Sequence, residues 1–184
     1  MANFEMVFFI NQKKMTISNN KFRLTVFSVM YLTILPIFCT EIKAEDNKKY
    51  LSFSTAVFDI LKKDYASFEG RVEYLGPEFT WIVKPLTGFM ANTDGALYFY
   101  GGAVFEIPLL SFLFLSPSFA PGIYYKSKSK DLNFIFEFRT QIELALLLNN
   151  DIRVGININH ISNASLGPPN PGVESIGISY YFPF

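Results

Sequence analysis

Cysteine, histidine and tryptophan are nearly missing from this 184-residue chain, which carries one of each. The single cysteine, Cys39, lies in an N-terminal apolar stretch, so the chain beyond it has no disulfide, no thiol nucleophile and no thiolate metal site. One histidine without clustered carboxylates is also a poor metal site. We therefore expect neither a metal nor any other cofactor.

Charge of one sign and long apolar runs are scarce as well. The chain has 16 Lys and Arg against 16 Asp and Glu, with no basic cluster in the part expected to fold, so no nucleic acid partner is expected. Charged residues are spread along the sequence rather than excluded from segments long enough for a membrane helix. The stretch 107–125 imitates such a helix, but Pro108, Pro117 and Pro121 argue against it.

Aromatic residues, in contrast, are abundant. The chain has 21 Phe and 10 Tyr, aromatic residues make up 17% of it, and half of all residues are hydrophobic. Soluble domains of this size rarely carry such a load. Together with the dispersed charges, it favours a membrane barrel built from alternating strands.

The first 44 residues have the order of a secretory signal peptide. Basic Lys21 and Arg23 precede an apolar stretch at 24–38, and a polar segment follows that ends at Ala44. We predict cleavage after Ala44, which leaves 45–184 as a single mature domain. An uncleaved membrane anchor is the alternative.

Two further details concern the same region. Residues 1–14 look like a wrongly assigned N-terminal extension, with translation beginning at Met15. Cys39 suggests a lipoprotein anchor, but the bulky Phe38 before it fits lipoprotein processing poorly.

Period-2 alternation dominates the rest of the chain, most clearly at 67–75 and 133–148. In the second segment one face carries Phe134, Phe136, Phe138, Ile142, Leu144 and Leu146, and the other carries Glu137, Arg139, Gln141 and Glu143. A soluble sandwich would leave these charges in water. A membrane barrel would turn the apolar face to lipid and pair the charges inside its lumen.

The C-terminus favours the barrel. Ile176, Ile178, Tyr180, Phe182 and Phe184 alternate up to a terminal Phe. This ending resembles the C-terminal strand signature that the outer-membrane assembly machinery reads, and a buried edge strand of a soluble protein is the alternative. With the export signal and the aromatic load, it predicts an all-β fold, an eight-stranded antiparallel transmembrane β-barrel.

Turn residues such as Gly76-Pro77 and Asn149-Asn150-Asp151 divide the chain into eight predicted strands. Their predicted spans are 51–60, 66–75, 79–91, 96–106, 112–125, 132–147, 152–162 and 174–184.

One group of residues suggests chemistry. His160 and Ser162 share a face of the seventh strand, and Glu174 opens the eighth strand after a Gly- and Pro-rich loop. The two strands form a hairpin, so the three side chains converge at one end of it on the lipid-facing side.

These residue types suit attack on an ester. Serine needs a neighbouring base to take its proton, histidine can be that base, and a carboxylate on the other ring nitrogen fixes its tautomer. Asn163 and Asn170 are candidates for holding the oxyanion. A polar group on a lipid-facing surface is costly, which points to a lipid substrate. The alternative is that these are ordinary rim residues without a catalytic role.

The run from His160 to Glu174 resembles the hallmark of the lipid A 3-O-deacylase (PagL-type), acyloxyacyl hydrolase-like family of outer-membrane barrels. It has a His-x-Ser-Asn start, an Asn ten residues after the histidine and a Glu fourteen residues after it. The resemblance is specific over about the last 50 residues and architectural elsewhere.

The resemblance implies a role for each residue: His160 as the base, Ser162 as the nucleophile, Glu174 as the orienting carboxylate and Asn170 at the oxyanion site. It implies a serine esterase in the outer membrane of a Gram-negative bacterium. The expected substrate is lipid A of the lipopolysaccharide in the outer leaflet, hydrolysed at its 3-linked ester.

Other functions stay open at this point. A non-catalytic barrel with a structural or adhesive role is one alternative, and a phospholipase or acyltransferase that uses the same groups is another. The sequence also leaves open whether the barrel forms a homodimer. Phe184 is the residue expected to engage the assembly machinery.

Overall fold

The computed structural model describes residues 48–80 and 82–184. The predicted signal peptide at 1–44, with its extension and its cleavage position, lies outside the described residues. In the described ranges no helix is long and apolar enough to span a membrane.

Ten strand segments make up nearly all of the regular structure in these ranges. They are β1 (Tyr50–Phe58), β2 (Ser67–Leu75), β3 (Val83–Asn92), β4 (Leu97–Phe105), β5 (Ile107–Leu110), β6 (Leu113–Leu115), β7 (Ser118–Tyr125), β8 (Phe136–Leu147), β9 (Arg153–Ser162) and β10 (Val173–Pro183). A single 3-10 turn, Asn149–Asp151, lies between β8 and β9.

The strands close into a barrel. Every pairing is antiparallel, β1 pairs with both β2 and β10, and β8 pairs with both β7 and β9. β5 continues β4 past Glu106, and β6 leads into β7, so the ten segments form eight barrel strands. The predicted eight-stranded antiparallel barrel is confirmed.

Three strand boundaries differ by four residues from those expected, and one of them is the start of β8, which begins at Phe136 rather than at 132. β3 begins at Val83 rather than at 79, because the chain turns first: Phe79 N donates to Val83 O at 2.8 Å and Val83 N donates to Thr80 O at 2.8 Å. The short β5 extends the fourth barrel strand beyond its predicted end at 106 and pairs with β6. Its proline, Pro108, and its unbroken apolar sequence hide the alternation that identifies the other strands.

Side chains alternate between the lumen and the outer surface. In β8 the buried positions are polar except Ala145 and the exposed positions are apolar except Thr140, the reverse of a soluble sheet. Exposed apolar residues on other strands include Phe53, Phe68, Phe99, Phe119, Ile123, Ile156, Ile176 and Ile178. This outer belt matches the apolar band that faces lipid hydrocarbon in membrane barrels.

Paired charges fill the lumen. The ion pairs are Arg71–Glu69 at 3.0 Å, Arg139–Glu73 at 3.0 Å, Lys84–Glu106 at 2.8 Å and Arg153–Glu106 at 2.5 Å. Serine hydroxyls also donate to two lumen carboxylates: Ser175 donates to Glu69 at 2.7 Å, and Ser179 donates to Glu143 at 2.8 Å. The side chains therefore form a polar core inside an apolar shell.

The two ends of the barrel differ. Tyr50 pairs with Pro183 and Phe184 N donates to Lys49 O at 3.2 Å, so the first and last strands finish together at one end. The other end, here called the loop end, carries the connections 59–66, 93–96, 126–135 and 163–172. His160, Ser162 and Glu174 lie at the loop end.

Candidate active site

The β9–β10 hairpin places His160 against Glu174. The two residues are direct partners in its antiparallel register, and both side chains leave the outer face. His160 Nδ1 lies 3.0 Å from Glu174 Oε1. The side chains are 44% and 23% exposed, so the pair is at the surface and open to a ligand on the lipid side.

Ser162 lies two residues after His160 on the same face of β9, about 6–7 Å along the strand. Its register partner on β8 is Phe138, and the partner of His160 on that side is Thr140. Among the described residues, Ser162 Oγ makes no hydrogen bond to the histidine. In the structure His160 thus contacts Glu174 directly, and Ser162 lies beside this pair on the same face of β9.

Asn163 organises the loop that follows. It is fully buried, and its Nδ2 donates to Leu132 O at 3.2 Å, Gly167 O at 3.1 Å and Pro169 O at 3.4 Å. Its Oδ1 accepts the backbone N–H of Ser165 at 2.9 Å. The side-chain amide is therefore committed to backbone groups of the protein.

Asn170 is placed differently. Its side chain is exposed, and its Oδ1 accepts the backbone N–H of Asn163 at 3.1 Å. That bond orients the amide and anchors it to the residue next to Ser162. In the part of the chain that the structure describes, Asn170 Nδ2 has no hydrogen-bond acceptor, so it can donate to a ligand.

Gly172 touches the histidine ring, a role that the sequence reasoning missed. Its φ is +53°, a conformation that favours glycine, and it is buried. A Cβ at this position would lie 2.6 Å from His160 Cε1 and 3.3 Å from Nε2. A glycine two residues before Glu174 was the available signal, but its neighbour could not be read from local pattern.

The 126–135 loop supports the β9–β10 hairpin from the side. Leu132, which is buried, accepts from Asn163 through its carbonyl, and Lys130 Nζ lies 2.5 Å from Asp59 Oδ1. That ion pair is buried and ties the loop to the end of β1. Nearer the loop's surface, a hydrogen bond from Lys126 lowers the pKa of the Asp131 carboxyl.

Aromatic side chains border the site on β7 and β8. Phe138 stacks on Phe119 with ring centroids 5.8 Å apart, and it meets Phe136 edge to face at 5.3 Å. Because Phe138 is the register partner of Ser162, these rings form an apolar surface beside the serine.

A comparison with protein families identifies this arrangement. Residues 66–183 match the family model described as lipid A 3-O-deacylase (PagL). The chain belongs to this family. The matched range contains every residue of the candidate site, from His160 to Glu174.

A curated member of the PagL family shares sequence with the chain. The lipid A deacylase PagL of Bordetella bronchiseptica is 33% identical over 108 residues, which are 59% of this chain and 53% of that protein. The chain thus matches about half the length of this curated relative.

Solved structures agree on the fold. The crystal structure of the outer membrane enzyme PagL superposes with a TM-score of 0.59 and 17% identity, covering 73% of this chain and 99% of that one. A de novo designed transmembrane β-barrel superposes with a TM-score of 0.50 and 8% identity, covering 75% and 98%. The family and the fold place the chain among the outer-membrane β-barrels.

Proposed function

We propose that the chain is an outer-membrane serine esterase that hydrolyses the 3-O-linked acyl chain of lipid A. The observation that carries this proposal is the His160–Glu174 contact at 3.0 Å, beside Ser162, on the lipid-facing surface of a PagL-family barrel. A polar cluster on that surface is costly unless it serves a molecule lying in the membrane.

The His160–Glu174 contact supports one assignment of the ring protons. With Nδ1–H donated to Glu174, the other ring nitrogen, Nε2, is the acceptor. In the substrate complex Ser162 Oγ turns toward Nε2, attacks the ester carbonyl carbon and passes its proton to His160. Catalytic hydrogen bonds that are open without substrate commonly tighten in the complex.

The tetrahedral intermediate then collapses. Asn170 Nδ2 donates to the oxyanion, while Asn163 holds the loop in place. The bond between the acyl carbon and the 3-oxygen of the sugar breaks. His160 gives its proton to that oxygen, and an acyl-serine forms. Water, deprotonated by His160, attacks the acyl carbon. His160 then returns this proton to Ser162 Oγ as the bond between Oγ and the acyl carbon breaks, which releases a 3-hydroxy fatty acid.

The orientation in the membrane fits this substrate. Outer-membrane barrels have short periplasmic turns and longer outer loops. The loops 126–135 and 163–172 are at the loop end, so the site faces the outer leaflet, where lipopolysaccharide resides. By the same proposal, Phe184 at the periplasmic end engages the assembly machinery, and a homodimer is an arrangement to be tested by cross-linking.

The test is mass spectrometry of lipid A from cells that express the wild type, Ser162→Ala or Ser165→Ala. Wild type and Ser165→Ala should remove one 3-hydroxyacyl chain, and Ser162→Ala should lower this activity by at least about a thousandfold. Ser165 is the matched control, because it is an exposed serine three residues after Ser162, in the loop 163–172.

Heat-modifiable electrophoretic mobility will show that all three proteins are folded barrels. Unchanged lipid A in cells with folded wild-type protein would support a non-catalytic barrel instead. Release of fatty acid from phospholipids, or transfer of an acyl chain, would support a phospholipase or an acyltransferase.

A further inference from the structure

The β1–β2 loop, residues 59–66, lies against residues 163–172, the loop between β9 and β10, here called the catalytic loop. Ile60 N donates to Glu174 O at 3.1 Å, and Lys62 Nζ donates to Pro171 O at 3.4 Å. These contacts follow from barrel closure, because β1 is the neighbour of β10. The Lys62 ammonium therefore sits beside the segment that joins Asn170 to Glu174.

Lys62 and the adjacent Lys63 are exposed cations without an acidic partner in the described ranges. Two other lysines at the loop end are neutralised, since Lys130 pairs with Asp59 and Lys126 pairs with Asp131. Asp64 is the one acid in the β1–β2 loop that is left without a cation, so two positive charges face one negative charge here.

The same loop presents apolar side chains at the membrane boundary. Leu61 is 68% exposed and Tyr65 is 42% exposed. Tyrosine is enriched at the level of lipid headgroups, and a lysine places its apolar stem along the interface while its ammonium stays in the polar layer. A lysine of this loop can therefore place its ammonium among the lipid headgroups, next to the site.

We infer that Lys62, with Lys63, forms a subsite for a phosphate group on the sugar of the substrate. This inference rests on the proposed function, in which the substrate is an acylated, phosphorylated glucosamine lipid. An ammonium is a good point-charge ligand for phosphate. Holding the sugar by its phosphate while the acyl chain lies along the barrel would fix the ester near Ser162.

The test compares purified Lys62→Gln/Lys63→Gln with wild type in uncharged detergent micelles. The substrates are lipid A and chemically dephosphorylated lipid A, and release of 3-hydroxy fatty acid is measured. We expect kcat/KM on lipid A to fall roughly three- to tenfold, mainly through KM, with less than a twofold change on the dephosphorylated substrate. Added salt should reduce the difference in kcat/KM between wild type and the double variant on lipid A.

Lys128→Gln is the matched control. Lys128 is also exposed at the loop end, but it lies by the β3–β4 turn, where its backbone N donates to Asp94 O at 3.2 Å. It should behave like wild type on both substrates. An equal loss on both substrates for the double variant, or an equal loss for Lys128→Gln on lipid A, would overturn the subsite.

A binding measurement separates this inference from the proposed function. In a Ser162→Ala background, affinity for micelles containing lipid A should fall when both lysines are replaced, and affinity for dephosphorylated lipid A should not. Absence of turnover by wild type would reject the esterase, while the binding result would still decide the subsite. Equal affinities for lipid A micelles with and without the two lysines would reject the phosphate subsite.

Discussion

At the scale of single residues, two asparagines of the loop 163–172 have different environments. Asn163 and Asn170 are both amides, yet Asn163 is buried with three backbone acceptors for its Nδ2, and Asn170 is exposed with its Nδ2 open. Gly172 closes the loop and lies against the His160 ring. Its missing side chain is what allows the imidazole to sit opposite Glu174.

Replacing Gly172 by Ala should lower kcat about tenfold or more, because the new Cβ would displace the His160 ring by contact at 2.6 Å. KM should change little, since the change moves the base and leaves the lipid-binding surface alone. Steady-state kinetics on lipid A will measure both constants.

Gly95→Ala is the control for backbone strain, since Gly95 also has a positive φ, +85°, in the β3–β4 turn. It should cost stability and leave kcat unchanged. A similar kcat in both variants would contradict a positioning role for Gly172.

At the scale of elements, the 126–135 loop acts as a brace between distant parts of the loop end. Lys130 reaches Asp59 at the end of β1, Ser129 accepts from Asn92 at 2.8 Å, and Leu132 accepts from Asn163. These contacts link the catalytic loop to the connections on either side of it. The site therefore depends on a loop that contributes no reacting group.

Breaking the brace with Lys130→Met should destabilise the barrel by about 3–5 kcal/mol, because Asp59 would remain as an uncompensated buried charge. Urea unfolding in micelles will measure this loss, and activity should fall with it. The control is Lys126→Met, which breaks the exposed pair with Asp131 and should cost roughly 0–1 kcal/mol. Equal losses in the two variants would contradict the brace.

At the scale of the whole molecule, the barrel is an apolar surface around a charged core. Arg71 alone joins three strands: it pairs with Glu69 on its own strand and donates to Gln141 and Asn157 across the lumen, both at 2.6 Å. Such cross-links hold the strands in a fixed relation. They also keep the outward face, with the site, in one geometry.

Arg71→Met should therefore lower the free energy of unfolding by about 3–5 kcal/mol, since Glu69 would be buried without its cation. Adding Glu69→Gln should recover part of the loss, because it removes the orphaned charge. Urea titration followed by tryptophan fluorescence and gel mobility will compare the variants. No recovery in the double variant would show that Arg71 acts by packing alone.

Much of the fold could be read from the sequence because the period-2 pattern is local. Alternation predicted the strands, the barrel and the opposition of His160 to Glu174 across one hairpin, with the largest boundary errors at 79–82, 107–111 and 132–135. A hairpin brings together residues that are close in sequence, so strand register is enough to place them. The segment 107–111 was missed because an unbroken apolar run carries no alternation.

Only the tertiary structure decided what surrounds the hairpin. Closure of the barrel brings the loops 59–66 and 126–135 to the catalytic loop, which puts Lys62 beside Pro171 and Leu132 beside Asn163. These neighbours are distant in sequence, and no local pattern encodes their contact. The sequence by itself determined the strands and the candidate site residues; closure determined which loops hold and flank them, because contacts between loops depend on how the strands are ordered in space.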